Sequence, residues 1–142
     1  MNAPPAEILH ASCVAFGDLG VLILGPSGAG KSALALQLMA LGAGLVADDR
    51  VHVSPRGEGL IASAPPGLPA LIEARGIGLL HAPLLDAAWV RLAVDLGRAE
   101  TERLPPQRRM IFHDVAVELV LGPVTGHFPA AIRHYVLSGR KE

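Results

Sequence analysis

A chain of 142 residues, 51% hydrophobic and 18% charged, has the size and apolar content of one compact domain, taken here as residues 1–142. Its formal net charge of −1 and scattered basic residues argue against a nucleic-acid partner or a polybasic membrane patch, and no run reaches the ~18 uninterrupted apolar residues of a membrane span. The one cysteine, Cys13, excludes an internal disulfide and a cysteine-based zinc site, and fits a reducing cytoplasm, the expected location.

The N-terminal MNAPPAEIL has neither a basic segment nor a long apolar stretch, so no targeting signal is expected there. Residues 11–16 and 21–24 are short apolar runs separated by Gly17-Asp18-Leu19-Gly20, whose glycines suit a tight reversal, and this predicts a hairpin with Cys13 buried in it. The second run enters GPSGAGKS. Residues 32–41 follow, rich in the helix formers Ala, Leu, Gln and Met and closed by Gly42, and they predict a helix. Residues 45–47 predict a short buried strand ending in Asp48-Asp49, with both carboxylates at its C-terminal edge.

Residues 51–53 and 60–64 flank the turn-rich Ser54-Pro55-Arg56-Gly57-Glu58-Gly59 and predict a second hairpin. Glu73 and Arg75 precede Gly76-Ile77-Gly78, where paired glycines permit either close backbone approach to a ligand or a plain salt-linked turn. Strands are expected at 89–96 and 115–121, the latter with alternating apolar positions, and a helix over 129–137. Proline pairs at 4–5, 65–66 and 105–106 punctuate the chain, and the last predicts that residues 105–142 form a separate structural segment. The tally is strand-heavy with two or three helices, so the expectation is an α/β fold with a mixed sheet, not a regular doubly wound one.

Gly25-Pro26-Ser27-Gly28-Ala29-Gly30-Lys31-Ser32 matches G-x-x-x-x-G-K-[ST] in full, between a predicted strand and a predicted helix. Glycines let the backbone N–H groups wrap phosphate oxygens, and the helix that follows points its positive end at them. Lys31 adds charge at the β/γ-phosphates and Ser32 a hydroxyl for magnesium. Ten of the twelve basic residues are arginine, so a lysine at this position stands out where a compact ammonium is needed. Beside such a loop, one of Asp48 and Asp49 is suited to hold magnesium through water and the other to take a proton from an attacking hydroxyl.

Read together, these stretches resemble the catalytic domain of bacterial HPr kinase/phosphorylase, which phosphorylates a serine of the phosphocarrier HPr and can reverse the reaction. The likeness spans roughly residues 9–104. It rests on His10 before a hairpin strand, GVLILGPSGAGKS, LVADDRV at 45–51, and IEARGIGLL at 72–80, which is similar to the family's Glu-x-Arg-Gly-x-Gly signature. The resemblance implies a P-loop phosphotransferase with a strand-rich mixed sheet and a phosphoenolpyruvate carboxykinase-like core. It also implies ATP and Mg2+ as cofactors, HPr as substrate, and a homo-oligomer, since longer members assemble as hexamers. His10 is then the active-site histidine, Lys31 the phosphate-loop lysine and Asp49 the carboxylate that deprotonates the acceptor serine. Ser32 and Glu73 hold magnesium, with Asp48 beside them on the metal side. Arg103, in Thr101-Glu102-Arg103-Leu104, is similar to the arginine of a later Asp-Arg-Leu-Gly motif and would stabilise charge on the transferred phosphoryl group.

The departures are specific. Ala33 stands where the family commonly has glutamate, the stretch between Glu73 and Arg103 is shortened, and the Pro-Val-Arg-Pro-Gly-Arg-Asn loop tied to dephosphorylation has only a remnant in Gly122-Pro123-Val124-Thr125-Gly126. Reversal of the reaction therefore loses its support. No counterpart of the separate N-terminal domain is expected, as in the shortened members of alphaproteobacteria, and the C-terminal part that completes the HPr-binding surface is short. The expected role is a serine kinase acting in carbon metabolism or phosphotransferase-system signalling. A small-metabolite kinase on the same loop and a non-catalytic ATP-sensing module stay open, because the loop does not specify the acceptor. No Asn-Lys-x-Asp motif supports a GTPase.

Overall fold

The computed structural model describes residues 6–122 and 126–141. The Pro4-Pro5 pair and positions 123–125 of the loop remnant lie outside them. In chain order the first elements are β1 (Glu7–Leu9), β2 (Ser12–Phe16), β3 (Leu19–Leu24), α1 (Lys31–Ala40), β4 (Gly44–Ala47), β5 (Val51–Arg56) and β6 (Gly59–Ser63). Then come β7 (Leu71–Ala74), β8 (Gly78–His81), β9 (Ala88–Ala99), β10 (Arg108–Phe112), β11 (Val115–Gly122) and α2 (Phe128–Ser138). The main sheet runs β1-β5-β6-β9-β3-β2-β4, with β10 and β11 joined to it through β9, while β7 and β8 form a separate ribbon.

The 12-residue β9 is the hub of the sheet. One edge pairs in parallel with β3, from Leu19↔Trp89 to Leu24↔Asp95. The other edge is divided: β6 pairs antiparallel at Ile61↔Trp89, and β11 pairs in parallel further along, at Leu119↔Ala93. The mixed sheet is the expected one.

Period-two alternation sorts β2 and β9 onto two cores. Cys13, Ala15 and Ala93 face an inner cluster shared with Leu22, Val51, Leu60, Val117 and Leu119. Val14, Phe16, Leu92 and Val94 face the helices, against Leu34 and Leu38 of α1 and Ile132 and Val136 of α2. The inner face is rich in alanine, which lets β5–β6 and β10–β11 approach the back of β2 and β3 and curl the sheet around that core.

The two predicted hairpins form, β2–β3 closing on Gly17-Asp18 and β5–β6 on Gly57-Glu58, with Gly17 at φ 65 as a two-residue reversal demands. The first helix also forms, and its end has a clear cause. Gly42 at φ 109 lets its N–H reach Met39 O at 3.0 Å while Ala43 N reaches Leu38 O at 3.1 Å, a Schellman closure.

One expectation is corrected. Residues 105–142 are not a separate segment: β11 is an integral strand of the main sheet, and Arg133 of α2 donates to Leu41 O at 3.1 Å and lies 5.9 Å over the Phe16 ring. Residues 75–77 form the turn, with Ile77 N donating to Ala74 O at 3.0 Å. They cap the β7–β8 ribbon, which holds Glu73 in β7 and turns through Gly76 at φ 85.

Candidate active site

β3 delivers the chain into the glycine loop at the C-terminal end of β9. Gly25 has φ 148, and a Cβ there would lie 3.1 Å from Ala29 Cβ and 3.4 Å from Gly97 N, so only glycine lets the loop settle on β9. Asp95 fixes that strand end, accepting from Gly97 N at 2.8 Å and Arg98 Nε at 3.0 Å. Gly30, at φ 99, turns the chain into α1, and Leu34 N donates to Gly30 O at 2.9 Å to close the first helical turn.

The first turn of α1 holds no acidic residue of its own, and the positive end of the helix faces the loop. Ala33 in place of an acid preserves that field. Lys31 is only 7% exposed, and its Nζ donates to Gly25 O at 2.7 Å and Pro26 O at 3.0 Å, which holds the ammonium across the mouth of the loop.

The adjacent carboxylates occupy opposite environments. Asp48, 8% exposed, follows the buried strand β4 and binds three donors from three elements. Its Oδ1 accepts Ser12 Oγ at 2.7 Å and Ser32 Oγ at 2.8 Å, and its Oδ2 accepts Glu73 N at 3.1 Å. Asp49 takes a positive φ of 74, a conformation that Asp tolerates better than most residues, and this swings its side chain outward. Its side chain is 69% exposed, and its Oδ1 meets His10 Nε2 at 2.9 Å.

One cleft of roughly 470 Å³ gathers these groups. Ser27, Gly28, Gly30, Lys31 and Ser32 line one wall, His10 and Asp49 another, and Glu73, Arg75 and Ile77 of the ribbon a third. The structure thus brings His10, Lys31, Ser32, Asp49 and Glu73 together, with Asp48 directly behind Ser32. Arg103 is not among them. It lines a different cavity, with Glu100, Pro105, Arg108 and Phe128, so the arginine expected at the transferred phosphoryl group is elsewhere in this chain. Ser12, which the sequence did not mark, lines the cleft and touches Asp48.

Among the described residues no group of three or more His, Cys, Asp or Glu is arranged to hold a metal. Magnesium on a nucleotide takes one or two protein oxygens and fills its shell with phosphate and water. The Ser32 hydroxyl, its proton turned to Asp48, leaves oxygen lone pairs for such a cation. The residues present fit the group.

A family model described as "HPr Serine kinase C-terminal domain" matches residues 3–86. HPr kinase/phosphorylase of Bordetella petrii is 48% identical over 115 residues, covering 72% of this chain and 37% of that protein. The Cupriavidus necator protein of the same name is 34% identical, covering 94% of this chain and 47% of its own length. The chain thus spans less than half the length of either curated relative. Among solved structures, the HPr(Ser) kinase/phosphatase from Coxiella burnetii superposes with a TM-score of 0.77 at 29% identity, covering 92% of this chain and 94% of that one. The strand-rich, P-loop-kinase-like architecture is shared with that structure. With more than half of its residues matched by the family model and its fold matched by a solved member, this chain belongs to the HPr serine kinase C-terminal domain family.

Proposed function

We propose that this chain is an ATP- and Mg2+-dependent protein kinase of the cytoplasm that transfers the γ-phosphate of ATP to a serine of HPr. The observation that carries the reading is the pair Asp48 and Asp49, one buried against the phosphate-loop serine and the other exposed in the same cleft. HPr as acceptor rests on the names of the relatives; phosphoryl transfer rests on the cleft.

The loop N–H groups and the start of α1 take the phosphates, and Lys31 exchanges its carbonyl contacts for β/γ-phosphate oxygens. Ser32, backed by Asp48, and Glu73 would hold magnesium, which would neutralise phosphate charge when bound. Asp49 accepts the proton of the acceptor hydroxyl as its oxygen bonds to the γ-phosphorus and the bond to the β-phosphate oxygen breaks, releasing ADP. His10 orients the Asp49 carboxylate through its Nε2 contact.

Incubation with γ-labelled ATP, Mg2+ and purified HPr should place label on an HPr serine, and HPr with that serine replaced should stay unlabelled. Label passing only to a small metabolite would make this a metabolite kinase. Tight ATP binding with no transfer to any acceptor would make it a sensor.

A further inference from the structure

We infer that Ser12 is a positioning residue for the cation site, acting through Asp48. The inference rests on the Mg2+·ATP reading above and extends it to a residue outside the phosphate loop. Ser12 opens β2 and is 1% exposed, so its hydroxyl needs an internal partner. That partner is the same Asp48 oxygen that accepts from Ser32: the two hydroxyls converge on Oδ1 at 2.7 and 2.8 Å, while Glu73 N holds Oδ2.

A serine hydroxyl carries one proton and two lone pairs. The Ser32 O–H, donated to Asp48, turns the proton away from the cleft and the lone pairs towards it, and that orientation depends on the carboxylate plane staying put. The terminal torsion of aspartate is broad, so apart from the Ser32 bond that it aims, a carboxylate held only at Oδ2 by Glu73 N can swivel about that contact, whereas a partner on Oδ1 fixes its plane. Ser12 supplies the second pin, a charge-assisted bond in a buried setting where such bonds are strong. With Ser12 Oγ in place, Asp48 aims the Ser32 oxygen into the cleft before nucleotide arrives.

Calorimetric titration of the whole chain with ATP, at a series of Mg2+ concentrations and in their absence, tests this. Ser12→Ala should raise the Mg2+ concentration for half-maximal enhancement of ATP binding by about tenfold, the scale of one lost bond to a charged group, and leave Mg2+-free ATP affinity within about twofold. Ser12→Thr, which keeps the hydroxyl, should restore the wild-type Mg2+ dependence. If the alanine variant fails to fold, Ser12→Cys keeps the volume with a weak donor and should show the same shift. Wild-type Mg2+ dependence in the folded alanine or cysteine variant would overturn the inference, as would an equal loss of Mg2+-free affinity, which marks a structural role. If the wild-type chain binds ATP with no Mg2+ enhancement, the cation reading itself fails, and this inference with it.

Discussion

Lys31 and Cys13 show how burial selects opposite chemistries from two polar side chains. Lys31 is buried but hydrogen-bonded to its own loop, and the proposed function has its ammonium exchange these carbonyls for phosphate. Replacing it with alanine removes the only loop side chain that brings a positive charge, so ATP affinity should fall by about 10- to 100-fold, and transfer with it, as measured by titration and turnover. Unchanged affinity and turnover would remove the loop from nucleotide binding. Cys13 is fully buried, and desolvation pushes its thiol from 9.0 up to about 12. The native protein should therefore resist thiol reagents at pH 8 and react at the rate of its own opening. Because the folded value lies above the unfolded one, the associated stability is intact below pH 9 and is lost as pH rises towards 12, visible as a falling denaturant midpoint.

At the scale of elements, the phosphate loop depends on the strand beside it. Gly25→Ala forces a side chain into φ 148, 3.1 Å from Ala29 Cβ and against the end of β9. Strain of about 1–3 kcal/mol should lower the melting temperature, and the displaced loop should weaken ATP binding in the same preparation. A variant with wild-type ATP affinity would show that loop and strand are not coupled. The loop was legible in the sequence because all its determinants lie within eight residues, from Gly25 to Ser32. The β7–β8 ribbon was not, because Leu79 and Leu80 remain exposed and give no burial pattern to read. β10 was hidden for a similar reason: Arg108 and Arg109 open it, and its pairing with β11 supplies the order that its composition lacks. Ser12 was missed because its partner is 36 residues away, and a lone strand serine reads as an ordinary polar position.

Across the whole molecule, the segment after Pro105-Pro106 completes the core. Ile132 is 2% exposed and packs with Leu34 and Leu38 of α1. Ile132→Ala should cost about 2–5 kcal/mol and lower a single cooperative unfolding transition. Two separate transitions in the wild-type chain would instead return residues 105–142 to the independent segment that the proline pair implied. The same integration decides which of the candidate site residues share a cleft. His10, Lys31, Ser32, Asp49 and Glu73 meet because β2, the start of α1, β4 and β7 end around one cleft. Arg103 sits on the 100–107 connection beyond β9, and that connection leads to a different cavity.

In the proposed function Asp48 and Asp49, neighbours in sequence, divide the work between cation and proton. The most direct test compares Asp48→Asn and Asp49→Asn for Mg2+-dependent ATP binding and for phosphoryl transfer to HPr. Asparagine tolerates the positive φ at position 49, so that exchange changes the charge with little strain. Asp49→Asn should keep Mg2+-dependent binding within about threefold and lose transfer by at least the roughly 10²–10⁴-fold of a general base, while Asp48→Asn should lose the Mg2+ dependence of binding itself. An Asp49→Asn protein with normal turnover, or an Asp48→Asn protein with a normal Mg2+ requirement, would contradict that division of work.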